Sequence, residues 1–282
     1  ELLHVKKSTG DVGLTIESVA SGTSPKLRIK SPADRISAIE FYEGGSLKSN
    51  IWHSTDDSLN FNVNSAGDNA LSIASNKNAT FGGSVNIASG LTTTGAVLNL
   101  QTNEPSVVAN DVLGRINFQA PLEADGADGD ARLVGASIHA LVTASDFNDA
   151  KNTTDLVFST AVSETASEKM RITSAGDVGI GVTPETSHSS VTTLQVGGLS
   201  AITATTAQSA GSSTWLGNNV YINSSGSQAH IVTDEASVYR QVGGTHNFQT
   251  VASGSADAGI SFTTNMVIDI NSRISLSNND AS

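Results

Sequence analysis

Apolar and polar residues alternate over short runs along this chain, and the runs recur at roughly 8- to 15-residue intervals between Gly, Asn, Asp and Ser. Lys26-Leu27-Arg28-Ile29-Lys30, Ala38-Ile39-Glu40-Phe41-Tyr42 and Ser58-Leu59-Asn60-Phe61-Asn62-Val63 are examples. A period of two places the apolar side chains of each run on one face of a strand. No window longer than about a dozen residues carries the i, i+3, i+4, i+7 spacing of a capped helix. The expectation is an all-β fold of short antiparallel strands, each burying one face.

The runs are short of material for a core. Charged residues are 15% of the 282 and aromatics 5%. Leu, Ile, Val and Phe together make up about 24%, above the roughly 20% below which disorder is the default. The chain should fold, but one module has too little bulk to bury both faces of its sheets. Chains that pack their apolar faces on a shared axis solve that problem and protect strand edges.

Met170-Arg171-Ile172-Thr173-Ser174-Ala175-Gly176-Asp177-Val178-Gly179-Ile180-Gly181-Val182-Thr183-Pro184 reads as strand, turn, strand and Pro stop. Gly179 and Gly181 alternate with Val178 and Ile180, so one face of that strand is bare and another backbone can approach closely. The alternative is that the two glycines mark a bulge in a monomeric sandwich.

This line has echoes. Ala70-Leu71-Ser72-Ile73 and Asn265-Met266-Val267-Ile268 match Lys169-Met170-Arg171-Ile172. Thr80-Phe81-Gly82-Gly83 and Arg273-Ile274-Ser275-Leu276 stand where Val178-Gly179-Ile180-Gly181 stands in the middle copy. Upstream, Leu59-Asn60-Phe61 matches Leu156-Val157-Phe158 and His246-Asn247-Phe248, and Ile39-Glu40-Phe41 matches Ile116-Asn117-Phe118 and, more loosely, Ile260-Ser261-Phe262. The expected modules are 1–90, 91–198 and 199–282, with joints at Ser89–Gly95 and Val196–Ser200. The middle module carries insertions at Leu122–Val134 and Ala144–Thr154, expected as outer loops. Leu3-His4-Val5 repeats the Leu-x-Val of Leu194-Gln195-Val196, and Asn278–Ser282 reads as the start of a further turn. The chain therefore reads as a fragment or processed product of a longer polypeptide.

Asp111-Val112-Leu113-Gly114-Arg115-Ile116-Asn117-Phe118, Ala136-Ser137-Ile138-His139-Ala140, Leu156-Val157-Phe158-Ser159-Thr160 and the Met170–Pro184 line, in that order, resemble the repeated modules of tail fibres and related virion fibres of tailed phages, cyanophage-like ones especially. The match is close across 91–198 and looser on either side. The signature positions are Met170, Ile172, Gly176, Val178, Gly179, Ile180, Gly181 and Pro184. The resemblance implies an elongated multi-module fibre with sandwich- or prism-like modules, wound as an intertwined parallel homotrimer. It implies a place on the virion surface, extracellular after release. The partners it implies are other virion tail proteins and a host surface glycan or protein, and the function is a structural, adhesive one without catalysis. Competing readings are a tailspike-like polysaccharide depolymerase and a bacterial surface adhesin or appendage subunit.

Candidate sites are few. Asp125-Gly126-Ala127-Asp128-Gly129-Asp130 is acidic enough to offer oxygens to Ca²⁺ but lacks the EF-hand order, and a solvated loop is the plainer reading. His4, His53, His139, His188, His230 and His246 are scattered and form no zinc motif. There is no Cys and no G-x-S-x-G elbow. Glu40, Glu43, Asp56 and Asp57 could supply a glycosidase carboxylate pair if a cleft brought two within about 5–10 Å. Trp52, Trp215 and Tyr239 are candidates for receptor binding, with core packing as the alternative. Net charge is −12 and no Lys/Arg cluster is present, which disfavours nucleic acid and anionic membranes. No apolar run reaches the roughly 20 residues of a membrane span. Neither a metal nor a cofactor is expected.

Overall fold

The computed structural model describes residues 29, 35–43, 46–63, 69–88, 95–120, 132–145, 147–148 and 150–276. Lys26–Lys30 (save Ile29), Leu3–Val5, the acidic loop 125–130, most of the 122–134 insertion, parts of the first joint and Asn278–Ser282 lie outside the described residues. The described residues contain β-strands and turns and no α-helix. They fall in two compact units, 1–98 and 99–282.

The first unit is an antiparallel meander: β1 (Ser37–Glu43), β2 (Ser46–His53), β3 (Leu59–Val63), β4 (Leu71–Ile73) and β5 (Ala79–Phe81), side by side in chain order. Register aligns Ile39 with Ile51, Ile51 with Phe61, Phe61 with Leu71, and Leu71 with Phe81. Asp57 and Lys77 take left-handed backbone, φ 64° and 69°, in the turns that close β2–β3 and β4–β5.

The second unit is one twelve-stranded sheet with a small hairpin beside it. Its first meander comprises β6 (Val112–Gln119), β7 (Val134–Val142), β8 (Thr154–Thr160), β9 (Ser167–Ile172) and β10 (Val178–Ile180). Then β11 (Val191–Val196) pairs parallel to β10 and antiparallel to β12 (Ser200–Thr205). The sheet continues through β13 (Ser213–Asn218), β16 (Asp234–Val242), β17 (Thr245–Gly254), β18 (Thr263–Ile268) and β19 (Ile274–Leu276). Between β13 and β16 the chain leaves the sheet to form the hairpin β14 (Tyr221–Ile222) and β15 (Gln228–Ala229). The β11–β12 turn, with Gly197 at φ 61°, is the stretch expected as the second joint, so the strands on its two sides are paired neighbours. Within the 144–154 insertion, Asn148 and Lys151 form a tight turn.

The echoes in sequence correspond to one repeated hairpin. In β4–β5, β9–β10 and β18–β19 the first turn residue (Ala74, Thr173, Asp269) donates its N–H to the carbonyl four residues on, and its own carbonyl accepts from the residue at +3. That +3 residue is Lys77, Gly176 or Ser272, each at positive φ, the type I turn plus left-handed residue of short hairpins. The strand before it aligns identically, Phe61 with Leu71, Phe158 with Met170 and Phe248 with Met266. The third copy departs from the sequence reading at its start. Ile260-Ser261-Phe262 lies in the β17–β18 connection, and Leu216 of β13 holds the place that Ile39 and Ile116 hold in the other two. The reason is the long excursion through β14–β15, which separates that strand from the rest of its meander by 15 residues of other structure.

Candidate functional site

The second unit has inverted polarity. One sheet face carries Asp177, Gly179, Thr193, Gln195, Ala201, Thr203, Gly217, Ala236 and Val238, all buried. Three irregular segments cover it: the β10–β11 crossover, the β14–β15 hairpin and the 255–260 loop. Glu185 N–H donates to Gln195 Oε1 (2.9 Å) and Ser187 Oγ to Thr193 Oγ1 (3.0 Å), pinning the crossover. His188 N–H donates to the Ile222 carbonyl (3.1 Å), tying it to the hairpin. Asn219, fully buried at φ 59°, accepts from Val232 N–H (2.8 Å) and donates to the carbonyls of Val232, Asp234 and Glu235. His230 N–H and the Ala258 carbonyl join the hairpin to the 255–260 loop (3.1 Å).

The opposite face carries the bulky apolar side chains and the described residues leave it bare. One row runs Ile116, Ile138, Phe158, Met170, Ile180 and Val196 across β6 to β11. A second runs Leu156, Ile172, Val178, Leu194, Ile202, Leu216, Tyr239, Phe248, Met266 and Leu276 across β8 to β19. On central strands, with both edges paired, Leu156 is 41% exposed, Ile202 47% and Leu216 56%. A hollow of about 480 Å³ opens on this face beside Leu216, Tyr239 and Phe248. In the first unit the Ile39–Phe81 row is likewise open, with Phe81 52% exposed. Alternation in sequence announced one apolar face per strand; it could not say that the chain would cover the other one.

The signature residues divide by role. Met170, Ile172, Val178 and Ile180 supply the bare rows. Gly179 points to the covered side, where a Cβ would stand 2.2 Å from the Val182 carbonyl oxygen and 2.6 Å from Pro184 Cδ. The backbone that approaches this glycine is therefore the chain's own crossover, and Pro184 is buried against it. Gly181 has open space but φ 70°, and Gly176 φ 91°; both serve turns.

Beside them sits an ion network that spacing did not reveal. Arg171 donates to Asp155 Oδ2 (2.9 Å) and to both oxygens of Glu168 (2.7 Å each), while Ser174 N–H donates to Asp155 Oδ1 (3.0 Å). The Asp155 side chain is 5% exposed and that of Arg171 12%. The hydrogen bonds to Glu168, outweighing burial, raise the Arg171 pKa. His139, on the same face, is pushed down by burial and by the nearby Arg115 and Arg171 charges. At the crossover, burial and then Asp257 raise the Glu185 carboxyl above its usual range, and burial with the hydrogen bond to Asp257 (2.7 Å) lifts Tyr221 to about 12.

Of the aromatic candidates, Trp52 is half-buried on β2 and Tyr239 belongs to the bare row, stacked on Phe248 with centroids 4.9 Å apart and bonded through its hydroxyl to His246. Trp215 lies on the covered side beneath Arg240. Of the first unit's carboxylates, Glu43 does not gather with Asp56 and Asp57. Glu43 is at the β1–β2 turn, and Asp56 and Asp57 follow the far end of β2, roughly 23 Å away at 3.3 Å per residue. Among the described residues no three His, Asp or Glu side chains stand together as a metal site. No described helix is long and apolar enough to cross a membrane.

No family model and no curated protein matches the sequence. Among solved structures the chain is similar to the carboxy-terminal domain of the bacteriophage T5 L-shaped tail fibre, at 13% identity and TM-score 0.37 over 71% of this chain and 92% of that one. It is also similar to the same domain with its intra-molecular chaperone domain, at 13% identity and TM-score 0.38 over 71% of this chain and 64% of that one.

Proposed function

We propose that the chain is a structural segment of a tailed-phage fibre, assembled as a parallel homotrimer whose copies bring their bare apolar rows together on a common axis. The observation that supports this is the inversion of the second unit. Bulky residues such as Ile116, Leu156, Ile202, Leu216 and Leu276 stand open on a face whose reverse side the chain has covered with its own loops. Burial of such side chains stabilises by about 25 cal/mol per Å² of apolar area removed from water, and a closed cyclic assembly buries the same face of every copy. The first unit, taken by itself, has an open row of the same kind, Ile39–Phe81. Sequence adds the Met170–Pro184 signature and its two echoes.

On this reading the covered side, with its loops, faces outward and is where a host surface is met; the role is adhesive and not catalytic. Two results test it. Antibody raised against the chain should decorate the tail fibres of the virions that carry it, and labelling confined to other parts of the particle contradicts the assignment. Incubation with host polysaccharide should release no oligosaccharide; release would favour a depolymerase.

A further inference from the structure

On the covered side of the second unit, Arg240 of β16 lies over the indole of Trp215 in β13, its guanidinium carbon 5.0 Å from the ring centroid. Stacking of this kind holds a guanidinium flat and in place. Trp215 is fixed in turn, because its Nε1–H donates to Ser213 Oγ (2.8 Å). Among the described residues no carboxylate pairs with Arg240, and its Nε is enclosed without a hydrogen-bond partner. In a chain of net charge −12, a half-buried arginine held rigid, its Nε enclosed and no carboxylate beside it among the described residues, is conspicuous, since charges drawn from water ordinarily find a partner.

The two side chains border a pocket of about 210 Å³ that opens to solvent. Its other walls include Ser190, Thr203, Thr205 and Ser213, whose hydroxyls keep acceptor capacity beyond their bonds within the chain, and the His188 ring stands behind Gly226. Drug-sized ligands fill about 300–1,000 Å³, so this volume suits a single ring. A fixed guanidinium fork matches a carboxylate in two parallel hydrogen bonds, and hydroxyl walls suit a polyhydroxylated body.

We infer that the Trp215–Arg240 pocket binds a carboxylate-bearing sugar residue of the uronic-acid class. Arg240 takes the carboxylate, Thr205 and Ser213 meet ring hydroxyls, and Trp215 sets the guanidinium plane. One copy alone builds the pocket, so loss of binding and loss of assembly are separate results.

The test uses the full chain labelled with 5-fluorotryptophan. Trp52 and Trp215 are the only tryptophans, so two ¹⁹F resonances report, assigned with Trp52→Phe. Glucuronate should shift the Trp215 resonance at a concentration at least about tenfold below glucose and about tenfold below acetate. Arg240→Gln should weaken glucuronate by about tenfold or more while the β-sheet circular dichroism and the Trp52 resonance stay those of the parent. If that variant fails to fold, Arg240→Lys keeps the charge without the fork and should weaken binding by about threefold or more. Glucuronate no tighter than glucose, or unaffected by the variant that folds, overturns the inference. Acetate equal to glucuronate overturns the sugar assignment.

Discussion

Pro184 packs on Gly179 of its own chain, with a built Cβ at Gly179 falling 2.6 Å from the proline Cδ and 2.2 Å from the Val182 carbonyl oxygen. This contact lets the crossover lie flat on the sheet just where β10 and β11 pair in parallel. Gly179→Ala should therefore cost about 1–3 kcal/mol, the range for overpacking. Gly181, two residues on, is constrained by φ 70° and not by space. Asn, which tolerates left-handed backbone, should be nearly neutral at 181 and strongly destabilising at 179. Denaturant unfolding of the two Asn variants separates the cases.

Arg171 neutralises a carboxylate that has almost no access to water. Arg171→Leu leaves Asp155 buried and unpaired, which should cost about 3–5 kcal/mol. Glu168→Gln removes the more exposed partner and should cost about 1 kcal/mol or less. A melting series that ranks the two variants the other way contradicts the network as described.

Glu185 predicts a pH dependence with a definite sign. Burial and Asp257 raise its folded-state pKa above the unfolded value, near 4.3 for a free glutamate. Its favourable contribution is then fully present below the unfolded pKa and is lost as pH rises through the raised folded one. Glu185→Gln, which stays neutral, should raise the melting temperature at pH 7 and converge with the parent near pH 4. Tyr221, at about 12, remains protonated throughout that window.

Ile202 and Leu216 stand opposite each other on the bare face. Ile202→Asp or Leu216→Asp should weaken self-association by about tenfold or more, since a charge at the centre of an apolar contact stays desolvated and unpaired. Ser227→Asp, on the exposed turn of the β14–β15 hairpin, should leave association unchanged. Sedimentation across a concentration series reads both.

Strand identity was largely legible because alternation is local: Ala38–Tyr42 and Ser58–Val63 need only their own residues to declare a face. The three hairpins were legible too, since Leu71–Ile73, Met170–Ile172 and Met266–Ile268 keep their apolar spacing. What escaped depends on distance in the chain. Asp155 and Arg171 meet only because β8 and β9 pair. Leu216 replaces Ile260 as the start of the third meander only because β14 and β15 are looped out. The cover over Thr193, Gln195 and Thr203 comes from segments without strand period, so alternation alone could not tell the covered face from the bare one. Trp215 could be named as a candidate, but Arg240, which completes its pocket, gave no sign in a run that reads simply as strand.

In the proposed trimer, copies of the same chain close the bare apolar rows. Native mass measurement on folded protein decides it most directly. The expected result is a particle of three times 28.9 kDa, reduced to single chains by Leu216→Asp. A well-folded species of 28.9 kDa in the unaltered protein, with its β-sheet signature intact, would contradict it.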